Sequence, residues 1–169
     1  MTIKLYAQPY DISATGFFFS SISEYEARTS SNRNRCGDLV EEYEIQFIEG
    51  ERIDCALASA WRLSQANFAA FLEKAAEWND DQKTRFVIAV SECGYSAEQV
   101  EDDPCDLDLD IHDAESLSAL AEQFVEEGLF GDIPERLACY LDYDAMARDL
   151  SVDYTQTEIA GERYVYRCA

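Results

Sequence analysis

From Phe86 to Glu135 the chain runs fifty residues without a Lys or Arg, and that stretch carries fifteen carboxylates. A block of one charge sign ordinarily reads as a solvated, disordered tail. This block also holds Phe86, Val87, Ile88, Val90, Leu107, Leu109, Ile111, Leu117, Leu120, Phe124, Val125, Leu129 and Phe130. A segment this apolar buries enough surface to fold. Once folded, it must turn its carboxylates outward, because a buried unpaired charge is costly. Its surface is therefore committed to one sign.

The rest of the chain sharpens the point. The 169 residues are 47% hydrophobic, which suits one compact domain or two to three small modules. Net charge is −22, and residues 106–169 contribute sixteen acidic against four basic side chains. Self-repulsion on that scale favours an elongated shape. The same field repels DNA, RNA and anionic membrane, so no direct nucleic-acid or membrane binding is expected. The start, MTIKLYAQPYD, lacks the apolar core of a signal peptide, and no run reaches the roughly 20 apolar residues of a membrane span. A cytoplasmic protein is expected. Its six cysteines include no C-x-x-C pair and should be reduced and mostly structural.

Periodicity divides the chain into three modules with an α+β fold class overall. Residues 3–7 and 16–20 read as strands separated by a turn at Pro9 and Asp11. Residues 20–38, rich in Ser, Asn and Arg, read as a loop with a short helix. In 41–48, Tyr43, Ile45 and Phe47 alternate with Glu42, Glu44 and Gln46, the pattern of a half-buried strand. A small antiparallel sheet module is expected over 1–54. Phe68, Phe71, Leu72, Ala75 and Trp78 then follow helical spacing. Asn79–Asp81 break and recap the chain, a second helix runs to about Cys93 with Gly94 beyond its end, and Ser96 with Gln99 opens a third. This makes 55–104 a central helical module. The third, 105–169, is α+β. It has a strand over 106–111, a helix capped by Asp113 and stopped by Gly128, helical character from Asp132 to Leu150, and a hairpin around Ala160–Gly161.

Several chemistries are excluded by what is missing. An EF-hand starting at Asp106 would need Gly and Glu where Ile111 and Leu117 stand. The single histidine, His112, rules out paired-His metal motifs and is expected at the surface beside acids. There is no phosphate-binding glycine loop and no G-x-S-x-G. With 35 acids, carboxylate pairs arise by chance, so pairing carries no information about hydrolysis. Phe17, Phe18, Phe19, Tyr140, Tyr143, Tyr154, Tyr164 and Tyr166 lack the basic neighbours of a base-stacking platform and read as core or interface. No enzyme, cofactor or metal site is indicated.

The charge itself remains. Glu on one helix face and Asp on alternate strand positions place negative groups about 5–7 Å apart, comparable to phosphates along a strand. The candidate surface comprises Glu98, Glu101, Asp102, Asp103, Asp106, Asp108, Asp110, Asp113, Glu115, Glu122, Glu126, Glu127, Asp132 and Glu135. A surface adapted merely to salt would not need to concentrate its imbalance in one segment. The expected partner is a protein that normally holds nucleic acid.

Residues 124–150, FVEEGLFGDIPERLACYLDYDAMARDL, resemble the signature segment of the ArdA antirestriction proteins. EEYEIQF at 41–47, WRLSQANF from Trp61 and DLDLDIHDAESL at 106–117 support the resemblance in order. Residues 20–38, with Arg28, Arg33 and Arg35, are the least distinctive part. The resemblance implies an elongated three-module protein encoded by mobile elements such as conjugative plasmids. Such a protein mimics bent B-form DNA and occupies the DNA-binding groove of type I restriction–modification enzymes. It also implies a homodimer, with Leu129, Phe130, Ile133, Pro134, Leu137 and Tyr140 at the contact between Gly128 and Leu141. The alternative is an acidic inhibitor or modulator of another DNA-binding protein, such as a nucleoid protein or a nuclease.

Overall fold

A computed structural model describes residues 2–100 and 102–168. Met1–Cys105 forms one compact unit and Asp106–Ala169 a second. The fold is α+β in both.

In the first unit β1 (Lys4–Pro9), β2 (Phe17–Phe19) and β3 (Tyr43–Glu49) form an antiparallel sheet in the order β2-β1-β3. Strand alternation sends Leu5, Ala7, Phe17, Phe19, Tyr43 and Ile45 to one buried face. Of the three consecutive phenylalanines, only Phe18 points outward, where its ring lies 4.8 Å from Tyr6 and beneath the Lys4 ammonium.

Helices α1 (Ile22–Ser31), α2 (Arg52–Ala60), α3 (Phe68–Glu77), α4 (Asp80–Ser91) and α5 (Ala97–Val100) complete the unit. Residues 20–38 therefore hold three turns of helix, capped by Ser21 Oγ accepting from Glu24 N. Only Tyr25 of α1 is buried, and it secures the helix through ring contacts with Phe19 at 5.0 Å and Phe68 at 4.5 Å. Asn79 caps α4 in a reciprocal box with Gln82. Trp61 stacks on Phe86 at 4.5 Å, with Trp78 5.3 Å from Phe86.

A division after residue 54 would fall inside α2. That helix buries Ile53, Asp54 and Leu57 and is tied to α4 by an ion pair, Lys83 Nζ to Asp54 Oδ1 at 2.7 Å, with both side chains under one-tenth exposed. Asp54 Oδ2 also accepts from Glu51 N at the helix start. One carboxylate thus serves as both counter-ion and cap.

The second unit has β4 (Leu109–Asp113), β5 (Thr155–Ile159) and β6 (Glu162–Cys168) in the order β4-β6-β5, all antiparallel. Ala160 (φ 57°) and Gly161 (φ 92°) form the two-residue turn between β5 and β6, with both residues in the left-handed region that such a hairpin requires. Helices α6 (Leu117–Glu126), α7 (Glu135–Ala138) and α8 (Tyr143–Leu150) accompany the sheet. The core gathers Ala114, Leu120, Phe124, Tyr154 and Val165, with Leu117 and Leu150 against it. Ser116, rather than Asp113, caps α6, accepting from Ala119 N at 3.1 Å. Asp113 is the last residue of β4.

Strand β4 also begins later than its alternation suggests. Pro104 starts a 3-10 turn that runs through Asp106, so Asp106 and Asp108 precede the strand. Cys36, Cys55, Cys105 and Cys139 are free and exposed, which makes them surface thiols rather than core ones.

Two buried phenols give a pH signature. Burial, then the neighbouring Tyr43, pushes Tyr25 up to about 12. Burial, then a hydrogen bond to Asp110, pushes Tyr154 up to about 12. Because these folded-state values exceed the unfolded value of about 10, the stabilisation they carry is present below that pH. It is lost as pH rises through about 12. An ultraviolet titration should therefore show at least these two tyrosines ionising late, together with loss of near-ultraviolet dichroism. If all ten tyrosines ionised with an ordinary midpoint while the fold persisted, this description of the two sites would be wrong.

Candidate protein-interaction surfaces

In the first unit Glu98, on α5, and Asp102 and Asp103 beyond it are exposed. Asp103 accepts from Cys105 N at 2.9 Å and Gln82 Nε2 at 3.3 Å. These bonds, the backbone one first, hold its carboxyl below the usual range. Glu101 lies outside the described residues.

In the second unit Asp106, Asp108, Asp113, Glu115, Glu122, Glu126, Glu127 and Asp132 are all exposed. The side chain of Glu135 lies outside the described residues. None of these exposed carboxylates of either unit forms an ion pair among the described residues. Sequence reasoning passed over Asp149 and Asp153, which are exposed on and after α8.

The placement on α6 is informative. Its inner face is Leu120, Ala121 and Phe124, while its outer face carries Glu122 and Glu126 one turn apart, followed by Glu127 at the C-cap. Like charges at i,i+4 destabilise a helix, and negative charge at its C-terminus opposes the macrodipole. The last turn has no basic residue. Helix stability therefore does not explain why these acids stand there.

Asp110 departs from the expected surface. It shares a face of β4 with His112, and that face looks toward the core. Asp110 Oδ2 accepts from Tyr154 Oη at 2.5 Å and from Arg167 Nη2 at 3.2 Å. Its Oδ1 lies 2.9 Å from His112 Nε2 without a hydrogen bond between them. His112 is only 19% exposed and packs edge-on against Phe124 at 5.2 Å, so it is largely buried rather than a surface histidine. Asp110 is a half-exposed counter-charge whose partners lie 44 and 57 residues away in sequence.

A second feature of this unit is apolar. Leu129 is 61% exposed, Phe130 53%, Leu137 48% and Tyr140 81%, with Pro134 exposed and Ile133 half-buried. Gly128 (φ 78°) and Gly131 (φ 84°) bracket Leu129 and Phe130 in left-handed turns. Large apolar side chains grouped this way mark an interaction surface more often than a free one.

No group of three His, Cys, Asp or Glu side chains among the described residues is placed to hold a metal ion. No helix among them is long and apolar enough to cross a membrane. A cleft of about 990 Å³ in the first unit is lined by Ser21, Leu72 and Trp78 and by Lys83, whose ammonium is already paired with Asp54.

The family model for antirestriction protein (ArdA) matches residues 10–162. The chain belongs to the ArdA family. No curated protein matches it significantly. ArdA proteins are antirestriction inhibitors directed at restriction–modification enzymes, not catalysts. The family match takes in the exposed acids of both units and the whole apolar segment of this ArdA-family chain.

Proposed function

We propose that this protein mimics duplex DNA and occupies the DNA-binding groove of a type I restriction–modification enzyme, at the subunits that recognise and methylate DNA. The observation that carries the reading is the set of unpaired carboxylates on and around α6, placed where they weaken the helix they stand on. A basic groove that neutralised them would turn that local cost into binding energy. Inhibition then needs no chemistry. It would protect incoming mobile DNA in the cytoplasm of the new host. The test is competition on a purified methyltransferase core. The protein should displace labelled duplex in a mobility-shift assay while leaving free duplex unshifted. A direct shift of duplex by this protein would end the mimicry reading.

The apolar segment serves a homodimer in this proposal, with Leu129, Phe130, Leu137 and Tyr140 covered by a second copy. Phe130→Asp should then give a folded monomer, because an unpaired charge is costly in an apolar contact. Sedimentation equilibrium should show the dimer for the unsubstituted chain at micromolar concentration and half that mass for the variant. A monomeric unsubstituted chain at that concentration would remove this role.

A further inference from the structure

Residues 27–37 contain three arginines and no carboxylate, the converse of the 86–135 block. Arg28, in the last turn of α1, and Arg33 and Arg35, just beyond it, are exposed, and none forms an ion pair among the described residues.

The segment that carries them is built. Asn32 caps α1, and its side-chain amide donates to Thr15 O at 3.1 Å and Tyr43 Oη at 3.0 Å. Asn34 Oδ1 accepts from Cys36 N and Asp38 N, each at 2.9 Å, and its amide donates to Asp11 Oδ2 at 3.0 Å. Asp11 is itself pinned by Ser13 N and Ser13 Oγ. Gly37 N bonds Asn34 O, placing Arg35 in the turn, and Arg33 bridges Leu39 across it. The asparagines bind inward, while Arg33 between them and Arg35 after them face solvent. A guanidinium on a fixed loop loses less entropy on contact than one on a mobile tail.

We propose that Arg28 at the end of α1, with Arg33 and Arg35 on the loop after it, form a cationic contact arm that docks on an acidic protein surface beside the groove of the restriction–modification enzyme. This rests on the DNA-mimic reading above. A basic groove would repel the arm, so the arm must meet the enzyme outside the groove, where a carboxylate patch is the complementary chemistry. Nucleic acid is the less suitable partner, because a chain of charge −22 repels a phosphate backbone. The arm would fix which way round the mimic sits, a distinction that a uniformly acidic surface cannot make.

The test turns on the sign of one effect. Each Arg→Glu exchange changes the charge by two, so Arg33→Glu with Arg35→Glu takes the chain from −22 to −26. If the groove alone bound the protein, this variant would bind the methyltransferase core as tightly or more tightly. With the arm in contact, attraction becomes repulsion at two exposed pairs, and affinity should fall about tenfold or more. Arg33→Gln with Arg35→Gln should fall between, and the circular dichroism of both variants should match the parent. Unchanged or tighter binding of the Glu variant overturns the arm and leaves mimicry standing. Failure of the parent itself to displace DNA from the core overturns both. A sedimentation change in the Glu variant would assign the arm to self-association, and loss of a duplex shift made by the parent would assign it to nucleic acid. Either result overturns the enzyme contact.

Discussion

Converting Asp106, Asp108, Asp113, Glu115, Glu122, Glu126 and Glu127 together to their amides should abolish competition with DNA. Each exposed pair is worth about 0.5 kcal/mol, so seven sum to roughly 3–4 kcal/mol, a several-hundredfold loss of affinity. Any one of them alone, such as Glu122→Gln, should cost only about two- to threefold. Thermal stability should hold or rise in the combined variant. Glu122 and Glu126 repel each other along α6, and Glu126 and Glu127 oppose its dipole. The pairing of lost inhibition with retained or improved stability is the signature to seek. A single amide substitution that silenced a well-folded protein would point instead to a discrete binding pocket. Asp110 is left out of the set because Tyr154 and Arg167 hold it, and its loss would confound folding with binding.

Lys83→Met should be among the most damaging single changes to the fold, in contrast to the surface substitutions. It leaves Asp54 charged and buried between α2 and α4, a loss of about 3–5 kcal/mol. Asp54→Asn combined with Lys83→Met should recover most of that, because the amide keeps the oxygen that accepts from Glu51 N and no bare charge remains. Urea unfolding midpoints of the parent, the single and the double variant decide the matter. A single variant within about 1 kcal/mol of the parent would show that water reaches this pair.

Much of this fold is legible in local pattern. Tyr43 and Ile45 alternate because a half-buried strand requires it, and the Asn79–Gln82 box announces α4 wherever it occurs. The Ala160–Gly161 turn declares its hairpin for the same local reason. What resisted reading depends on distant partners. Helix α1 was expected only as a short helix within a loop, because it is rich in Ser and Thr, which favour caps and turns over helix interiors. It is held by one ring, Tyr25, lodged among Phe17, Phe19 and Phe68. Asp110 has the spacing of a surface charge, but a tyrosine and an arginine from the far end of the chain decide its role. The exposure of these acids was readable because exposure of unpaired charge follows from composition. The arginine loop was not, because its order comes from asparagine bonds to Asp11, Thr15 and Tyr43.

Both sheets have three strands among the described residues, so β2, β3, β4 and β5 stand at their edges. Edge strands invite strand addition from neighbouring molecules. Here the protection is colloidal: like-charged copies repel before their edges meet. Under the proposed DNA mimicry, solubility and inhibition would then depend on the same side chains. Near the isoelectric point of about 4.1, the protection should vanish and edge-to-edge aggregation should set in. It follows that a library selected only for soluble expression would keep many of these carboxylates, with no restriction enzyme present to select for them.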